Sequence, residues 1–436
     1  MTLTPNRRQL LGAAAATPAL LSSAALADPL APAPAPKLAP NSIPIADLAA
    51  QFDVEREIHN LEAGYWGVMP RVVAETYVRH TLEVNRLNSV FARNVLPGDG
   101  CMANGTRDAQ ASVARMVGCL PQEIAITRSG SDALQQLITN YKPLKAGDAV
   151  IYCDLDYDAM IGAMEWLGSH RGAKVVRFAM PEPATTANIL AAYEDVLRRT
   201  PEAKLLLVTQ ISNRTGLITP VKEIVAMARA RGVDTIVDAS HAVALLDVTM
   251  DDLGCDFAGW SVHKWTCAPL GTGAMYIRKN RLADIAIAYD NNHVPADNIN
   301  AREPAGTVNF AALLTIPTAV DFHYAVGASA AKAPHMRALR NRWVDQVRDL
   351  PNVEIMVPDD PARSCTITSF RLKGMTTPEK AQAVQKRLFE KHKVLTVWRD
   401  GVARAPVIRA TPGFYSRPED ADALAAALRA EHAMLI

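Results

Sequence analysis

The sequence predicts an α/β protein, with a mostly parallel central sheet in a large domain and a smaller α+β domain towards the C-terminus. Two observations predict this fold class. Between residues 123 and 277, short apolar runs alternate with helical patterns, which is typical of parallel strands covered by helices on both faces. After about residue 317, a long helical pattern leads to a few further strand-like runs, which indicates the smaller domain.

The predicted elements follow one another along the chain. Residues 45 to about 115 are mostly helical in pattern, with a loop around residues 61–67. We expect functional residues outside the carboxyl ends of the parallel strands. The strands of the large domain are predicted at 123–127, 149–152, 174–178, 205–211, 235–237, 257–260 and 273–277. Those of the small domain are predicted at 353–356, 366–370 and 407–409.

The first 27 residues are predicted to be a signal peptide. Arg7 and Arg8 precede a run rich in alanine and leucine, and residues 25–27 (Ala-Leu-Ala) form a cleavage site before Asp28. The paired arginines resemble a twin-arginine signal, so we expect the twin-arginine export machinery as a partner and the periplasm as the destination. The alternatives are an ordinary secretory signal and an uncleaved anchor, and the many alanines disfavour the anchor.

The composition of the remaining chain indicates a linker and two domains, and it argues against nucleic-acid binding and a metal site. Residues 28–44 are predicted to be a linker rich in proline and alanine, 45–316 the large domain with an N-terminal helical segment, and 317–436 the small domain. The formal net charge is +1 and no basic run alternates with aromatic residues, so nucleic acid is not an expected partner. The 6 cysteines form no CxxC motif and no Cys/His cluster, so no metal site is predicted.

Two polar residues follow neighbouring predicted strands. Asp238 ends one apolar run, and Lys264 lies shortly after the next. A lysine can form a Schiff base with an aldehyde cofactor, and a carboxylate can keep a pyridine nitrogen protonated so that the ring accepts electrons. The pair therefore indicates pyridoxal 5'-phosphate and amino-acid chemistry, although an isolated pair of this kind is more often structural.

Three motifs together resemble the class V aminotransferase family of pyridoxal-phosphate enzymes. They are residues 238–241 (Asp-Ala-Ser-His), 261–264 (Ser-Val-His-Lys) and 269–273 (Pro-Leu-Gly-Thr-Gly), within a resemblance from about residue 60 to 430. The resemblance implies a fold type I transferase, with the cofactor held by the large domain, and a homodimer with shared active sites. The combination of Tyr157, Asp238-Ala-Ser-His241 and His263-Lys-Trp265 is most similar to the isopenicillin N epimerase-like branch. Together with the export signal, the chain resembles periplasmic enzymes of pyoverdine maturation.

The same resemblance implies the roles of the central residues. Lys264 would bind the cofactor and, once substrate displaces it, would carry the α proton. Asp238 would pair with the pyridinium nitrogen. Asn213 and His241 would lie beside the phenolic oxygen of the cofactor, and Tyr157 would stack on its ring. A core tyrosine and a structural histidine are the alternatives for Tyr157 and His241.

A phosphate site is predicted at the turn before the helix that starts near residue 131. Gly130 and Ser131 can offer backbone amides and a hydroxyl at a helix N-terminus, although a plain capping turn is also consistent with this local sequence. The resemblance adds Ser261 and His263 to the phosphate site. It also implies that Gly306 and Thr307 are lent by the partner subunit.

Three further residues are expected to contact substrate. Arg409 resembles the arginine that binds the substrate α-carboxylate, a task that suits its planar donors, and a surface salt bridge is the alternative. Tyr65 and Trp66 are expected to line the substrate mouth.

The predicted function is that of an enzyme acting on an amino group of a small amino-acid or peptide-like substrate. Aminotransferase-type chemistry is expected first. Epimerisation of an α carbon is the alternative, and it needs a second proton donor in addition to Lys264. Cysteine desulfuration is disfavoured, because Cys365 opens a predicted strand. A non-catalytic binding protein is disfavoured by the presence of Lys264, Asp238 and Arg409.

Overall fold

The computed structural model describes residues 37–95, 101–304 and 306–433. The predicted signal peptide and residues 28–36 of the predicted linker lie outside these ranges. The described helices are α1 Arg71–Leu87, α2 Ser89–Ala92, α3 Met102–Val117, α4 Gly130–Thr139, α5 Asp158–Arg171, α6 Thr186–Arg199, α7 Val221–Arg229, α8 Met250–Leu253, α9 Phe310–Ala325, α10 Ala328–Val347, α11 Pro378–His392 and α12 Pro418–Glu431.

The strands match the apolar runs of the sequence closely. Their bounds are β1 His59–Asn60, β2 Ile124–Thr127, β3 Ala149–Cys153, β4 Lys174–Phe178, β5 Ala203–Thr209, β6 Asp234–Asp238, β7 Phe257–Ser261, β8 Gly273–Ile277, β9 Val353–Ile355, β10 Thr368–Leu372, β11 Val394–Leu395, β12 Val397–Arg399 and β13 Val407–Ala410. Every predicted strand is present within a few residues. The short strands β1, β11 and β12 were not predicted, because so few residues carry no usable pattern.

The central sheet has seven strands in the order β2-β8-β7-β6-β5-β3-β4. Its pairs are parallel except those made by β8, which runs antiparallel to β7 and β2. The carboxyl ends of β5, β6 and β7 therefore meet at one edge. The predicted α/β fold with a mostly parallel central sheet is confirmed.

Both faces of the central sheet are buried, which explains the continuous apolar runs. In β3, Ile151 packs into one hydrophobic cluster, whereas its neighbours Val150 and Tyr152 pack into another. Because successive strand side chains point to opposite faces, these clusters are the two helix-covered sides of the sheet. The sheet is thus held rigidly, and residues at its carboxyl edge have well-defined positions.

The C-terminal part contains an antiparallel sheet of four strands in the order β12-β13-β10-β9. Strand β1, from the N-terminal segment, pairs in parallel with β11. The backbone of Leu61 and Ala63 also exchanges hydrogen bonds with Thr411. Residues 59–63, which were predicted to belong to the large domain, are therefore joined to the small domain by backbone pairing.

No single helix in the described ranges is long and apolar enough to cross a membrane, and the pair α9 and α10, which meets that test jointly, is bent by 68°.

Candidate active site

A cavity of about 280 Å³ opens at the carboxyl edge of the central sheet. It brings together most of the predicted site residues, from both the large and the small domain. Those that line it are Tyr65, Trp66, Ser131, Tyr157, Asn213, Asp238, His241, Ser261, His263, Lys264 and Arg409.

Lys264 follows β7 and presents its amine to the cavity. Burial lowers the pKa of this amine from its usual 10.5 to about 8, and the nearby Asp238 carboxylate opposes that change. The amine nitrogen Nζ lies 3.1 Å from Nε2 of His241. A lysine with a lowered pKa is uncharged more often near neutral pH, which is the state that attacks an aldehyde.

The loop of residues 61–67 reaches the cavity because Gly67 lies against the backbone of Lys264. A side-chain Cβ at Gly67 would lie 2.0 Å from the carbonyl oxygen of Lys264, so only glycine fits. The Gly67 amide donates to the carbonyl of His263, 2.8 Å away. This close approach places Tyr65 and Trp66 at the cavity mouth, where they are 66% and 44% exposed.

Asp238 ends β6 and is buried, with one carboxylate oxygen accepting the Ser240 amide at 2.9 Å. Burial raises the pKa of Asp238, while the hydrogen bonds from Ser240 and the charge of Lys264 act in the opposite direction. The buried Asp156 lies beneath the same edge and accepts the backbone amides of Thr209 and Cys153. Burial raises the pKa of Asp156 to about 7, and the Asp238 charge adds to the rise.

The predicted phosphate site lies at the start of α4. Ser129 caps this helix by accepting the Asp132 amide, so the plain capping alternative describes Ser129 correctly. Gly130 does not line the cavity, but its amide donates to the Ser261 hydroxyl at 3.1 Å. A Cβ at Gly130 would lie 2.7 Å from the Ser261 amide nitrogen, so glycine is needed for the two turns to meet. Ser131 and Ser261 then face the cavity together.

His263 completes this end of the cavity. Its Nδ1 donates to the Thr272 carbonyl at 2.7 Å, because a carbonyl can only accept. Burial lowers the pKa of His263, and the Lys264 charge adds to this, while the Thr272 hydrogen bond raises it. The remaining nitrogen, Nε2, can donate to an anion only when the ring is protonated, a state that a bound phosphate would favour.

Thr307 does not line this cavity, and its neighbours Gly306 and Val308 line a separate, more open groove with Phe310. Within one chain the structure therefore does not bring Thr307 to the site. Its contribution from a partner subunit stays a prediction.

Arg409 is buried, and its guanidinium is already engaged. Nη1 donates to the carbonyl of Asn213 at 2.6 Å, and Nη2 donates to the carboxylate of Glu62. Arg399, which also lines the cavity, lies 3.8 Å from the same carboxylate oxygen. Burial lowers the pKa of Arg399 to about 10, and the Arg409 charge contributes to this. Two guanidinium groups thus share one carboxylate, which leaves a site for one further anion.

Sequence reasoning missed Glu62, Asp156 and Arg399. Asp156 directly precedes Tyr157 after β3, so its position next to a predicted site residue was an available signal. Glu62 and Arg399 carried no such signal, because the pairing of β1 with β11 brings Glu62 to Arg409, and β12 brings Arg399 to the cavity wall.

A family model described as aminotransferase class-V matches residues 79–424. The chain belongs to the class V aminotransferase family. Isopenicillin N epimerase from Streptomyces clavuligerus is 29% identical over 343 residues, which cover 74% of this chain and 83% of that protein. Isopenicillin N epimerase from Amycolatopsis lactamdurans is 24% identical over 401 residues, which cover 88% of this chain and 98% of that protein. The predicted family and branch are confirmed.

Solved structures share the fold of this class V enzyme. The cysteine desulfurase CsdA from Escherichia coli matches with a TM-score of 0.74 and 19% identity, covering 91% of this chain and 100% of that chain. A mutant of the enzyme C-DES, with glycine covalently linked to its PLP cofactor, matches with a TM-score of 0.75 and 18% identity, covering 87% of this chain and 98% of that chain.

The cofactor of the class V enzyme is pyridoxal phosphate, and the cavity residues fit it. Asn213 and Thr209 line the cavity, and the Asn213 side-chain oxygen and the Thr209 hydroxyl are buried with no hydrogen-bond partner among the described residues, so a polar ligand in the cavity would satisfy both. Lys264 and Asp238 are the residue types that the cofactor aldehyde and ring nitrogen need. Ser131, Ser261 and His263 lie in the same cavity and can hold its phosphate.

Proposed function

We propose that this class V enzyme acts on the amino group of an amino acid or peptide-like metabolite, and that its chemistry is of the aminotransferase type. The observation that carries the proposal is the position of the Lys264 amine beside Asp238 in a cavity that also holds Arg399 and Arg409. This arrangement combines a proton carrier with cations for a substrate carboxylate.

Each residue then has a distinct task. Bound pyridoxal phosphate supplies an electron sink for the carbanion that forms when the substrate loses its α proton. The Lys264 amine would accept the α proton and hold it for return. The negative charge of Asp238 would keep the pyridine nitrogen of the bound cofactor protonated. The guanidiniums hold the substrate carboxylate, so that the Cα–H bond points in one direction.

Epimerisation is the second candidate, because the isopenicillin N epimerases are among the most similar relatives. It requires the proton to return to the opposite side of the α carbon, and therefore needs a second proton donor. Cysteine desulfuration has less support, because all six cysteines are described and none of them lines the cavity.

One experiment separates these activities. The purified holoenzyme is incubated in D₂O with a panel of amino acids and short peptides, with pyruvate or 2-oxoglutarate as amino acceptor, and the products are analysed by chiral mass spectrometry. Transamination gives a ketoacid and a new amino acid. Inverted substrate deuterated at the α carbon would establish epimerisation, and sulfide with alanine from cysteine would establish desulfuration. If no substrate exchanges its α proton, the proposal of catalysis on these compounds is wrong.

The Lys264 assignment has its own test. Borohydride reduction followed by peptide mapping should place the cofactor on Lys264 in the wild-type protein. Lys264→Ala should lose the visible absorbance of bound cofactor and give no reduced adduct. Lys174→Ala, which removes an exposed lysine, is the matched control. Cofactor that is still fixed in Lys264→Ala would mean that another lysine binds it.

We also propose that active sites are shared between two subunits, with Thr307 of each chain serving the phosphate of the other. Neither Lys264→Ala nor Thr307→Val should be fully active alone. When the two variants are refolded or co-expressed together, a heterodimer carries one intact site, so activity should return. No recovery in verified heterodimers would mean that each chain forms its own site.

We further propose that residues 1–27 direct export of the folded, cofactor-loaded protein through the twin-arginine route. The support is the Arg7-Arg8 pair in front of the alanine-rich run. Replacing both arginines by lysine should leave folded protein in the cytoplasm, as measured by cell fractionation. Undiminished export of the variant would point to another route.

A further inference from the structure

The indole of Trp265 is buried and determines which nitrogen of His241 carries the proton. Its Nε1 lies 3.2 Å from Nδ1 of His241. An indole N–H can only donate, so Nδ1 must accept. In a neutral imidazole the proton is then on Nε2, the nitrogen that faces Lys264.

The second nitrogen of His241 lies 3.1 Å from the Lys264 amine. An Nε2–H group donates to the lone pair of an uncharged amine, whereas an ammonium has no lone pair and would place two donors against each other. The contact is therefore favourable only when the Lys264 amine is uncharged.

We propose that Trp265 is a positioning residue, which holds His241 in its Nε2–H tautomer so that His241 stabilises the uncharged amine of Lys264 for cofactor capture. This inference rests on the proposed role of Lys264 as the cofactor-binding lysine. It assigns His241 and Trp265 the task of keeping the Lys264 amine uncharged, in addition to any contact that His241 makes with the cofactor.

The surroundings support this assignment. Burial, Lys264, Arg409 and Arg399 all lower the pKa of His241, so the ring stays neutral and keeps one acceptor nitrogen. Burial and the charges of Arg409 and Arg399 also lower the pKa of the Lys264 amine, whereas the charges of Asp238 and Glu62 raise it.

Packing holds the indole in place for this task. The ring of Phe414 lies edge-on to Trp265 with centroids 5.3 Å apart. The amine of Lys332 lies 4.5 Å from the centroid of the Phe414 ring. Since Trp265 is 3% exposed, water has little access to compete for His241 Nδ1.

The first test measures the tautomer directly. Long-range ¹⁵N–¹H NMR of the full-length holoenzyme, labelled on histidine, reports which ring nitrogen is protonated, and His241→Gln identifies the His241 signal by its loss. We expect Nε2–H in the wild type and in Trp343→Phe, which alters a buried indole whose N–H has no partner among the described residues. Trp265→Phe should shift His241 towards Nδ1–H. An Nδ1–H signal in the wild type would overturn the proposal without any variant.

The second test measures Lys264 in the same chain after cofactor removal. Competitive acetylation at a series of pH values, read by mass spectrometry of the Lys264 peptide, gives the midpoint of its deprotonation. Loss of one net hydrogen bond should raise the midpoint in Trp265→Phe by about 0.7 pH unit, which corresponds to about 1 kcal/mol. Trp343→Phe should match the wild type.

Rescue distinguishes positioning from general structural damage. His241→Gln retains an acceptor for the indole and a donor for the amine, and should keep a midpoint close to that of the wild type. His241→Phe retains neither group and should show the raised midpoint. If all folded variants share the wild-type midpoint, His241 does not act on Lys264. Because borohydride mapping tests Lys264 itself, failure of the proposed function remains separate from failure of this inference.

Discussion

The guanidinium of Arg409 donates through Nη2 to the carboxylate of Glu62, which joins the N-terminal loop to a strand of the small domain. The Arg409 side chain is 1% exposed and the Glu62 side chain 16%. Arg399 approaches the same oxygen. Removal of the Arg409–Glu62 pair would therefore change both the stability of the fold and the charge of the cavity.

Glu62→Gln should therefore destabilise the protein. The substitution leaves two neighbouring guanidiniums without a counter-charge, and breaking a buried pair in this way costs about 3–5 kcal/mol. Urea denaturation at neutral pH measures the loss. Asp422→Asn is the matched control, because its pair with Arg342 is largely exposed and should contribute at most about 1 kcal/mol. Equal losses in the two variants would contradict a buried role for Glu62.

Arg399→Gln should raise the KM for carboxylate substrates more than it lowers kcat. Arg409 donates to Asn213 and Glu62 through both Nη atoms, whereas Arg399 only approaches Glu62 at 3.8 Å. A hydrogen bond to a charged group contributes about 1.5–3 kcal/mol, so KM should rise roughly 10- to 100-fold. Steady-state kinetics measures this, with the exposed Arg404→Gln as control. An unchanged KM would show that Arg399 does not hold the carboxylate.

Asp238→Asn should retain cofactor but react slowly. The amide keeps the shape of the side chain, yet it removes the charge that favours a protonated ring nitrogen. Loss of one preorganised electrostatic contact typically costs roughly 10²–10³-fold in kcat. Single-turnover kinetics of the cofactor-loaded variant isolates this step from binding. Near-normal turnover would refute the role assigned to Asp238.

Lys332→Met should stabilise the protein in a pH-dependent manner. Lys332 is 1% exposed, and burial lowers the pKa of its amine from 10.5 to about 7. Between these values the unfolded chain holds a proton that the folded chain lacks, so the free energy of unfolding rises with pH. The gain of Lys332→Met over wild type should be greatest at pH 7 and below and should disappear towards pH 10.5.

Urea denaturation at pH 6, 8 and 10 measures this difference. Lys279→Met, at an exposed position, controls for the loss of one positive charge. A gain that is independent of pH would mean that better packing of the methionine, and not removal of the buried charge, explains the effect of the substitution.

Much of the fold followed from local pattern. The runs that became β3 and β8 are continuous apolar segments, because both faces of these strands are buried, and such segments are visible without knowledge of their partners. The short strand β12 was invisible, because three residues carry no distinctive period. The cavity residues that the sequence could predict are those that come directly after strands, such as Asp238 and Lys264.

The sequence by itself determined the family and the cofactor and predicted the pair of Lys264 and Asp238, because motifs at short spacings after buried strands resemble those of the class V family. Only the tertiary structure decided that Arg409 donates to Glu62 and that Arg399 lies farther from the same carboxylate. It also decided that Trp265 donates to His241. Such contacts join segments that lie far apart in the chain or require a particular loop geometry. Which group donates to which depends on how the side chains pack, and a local sequence pattern carries no information about that packing.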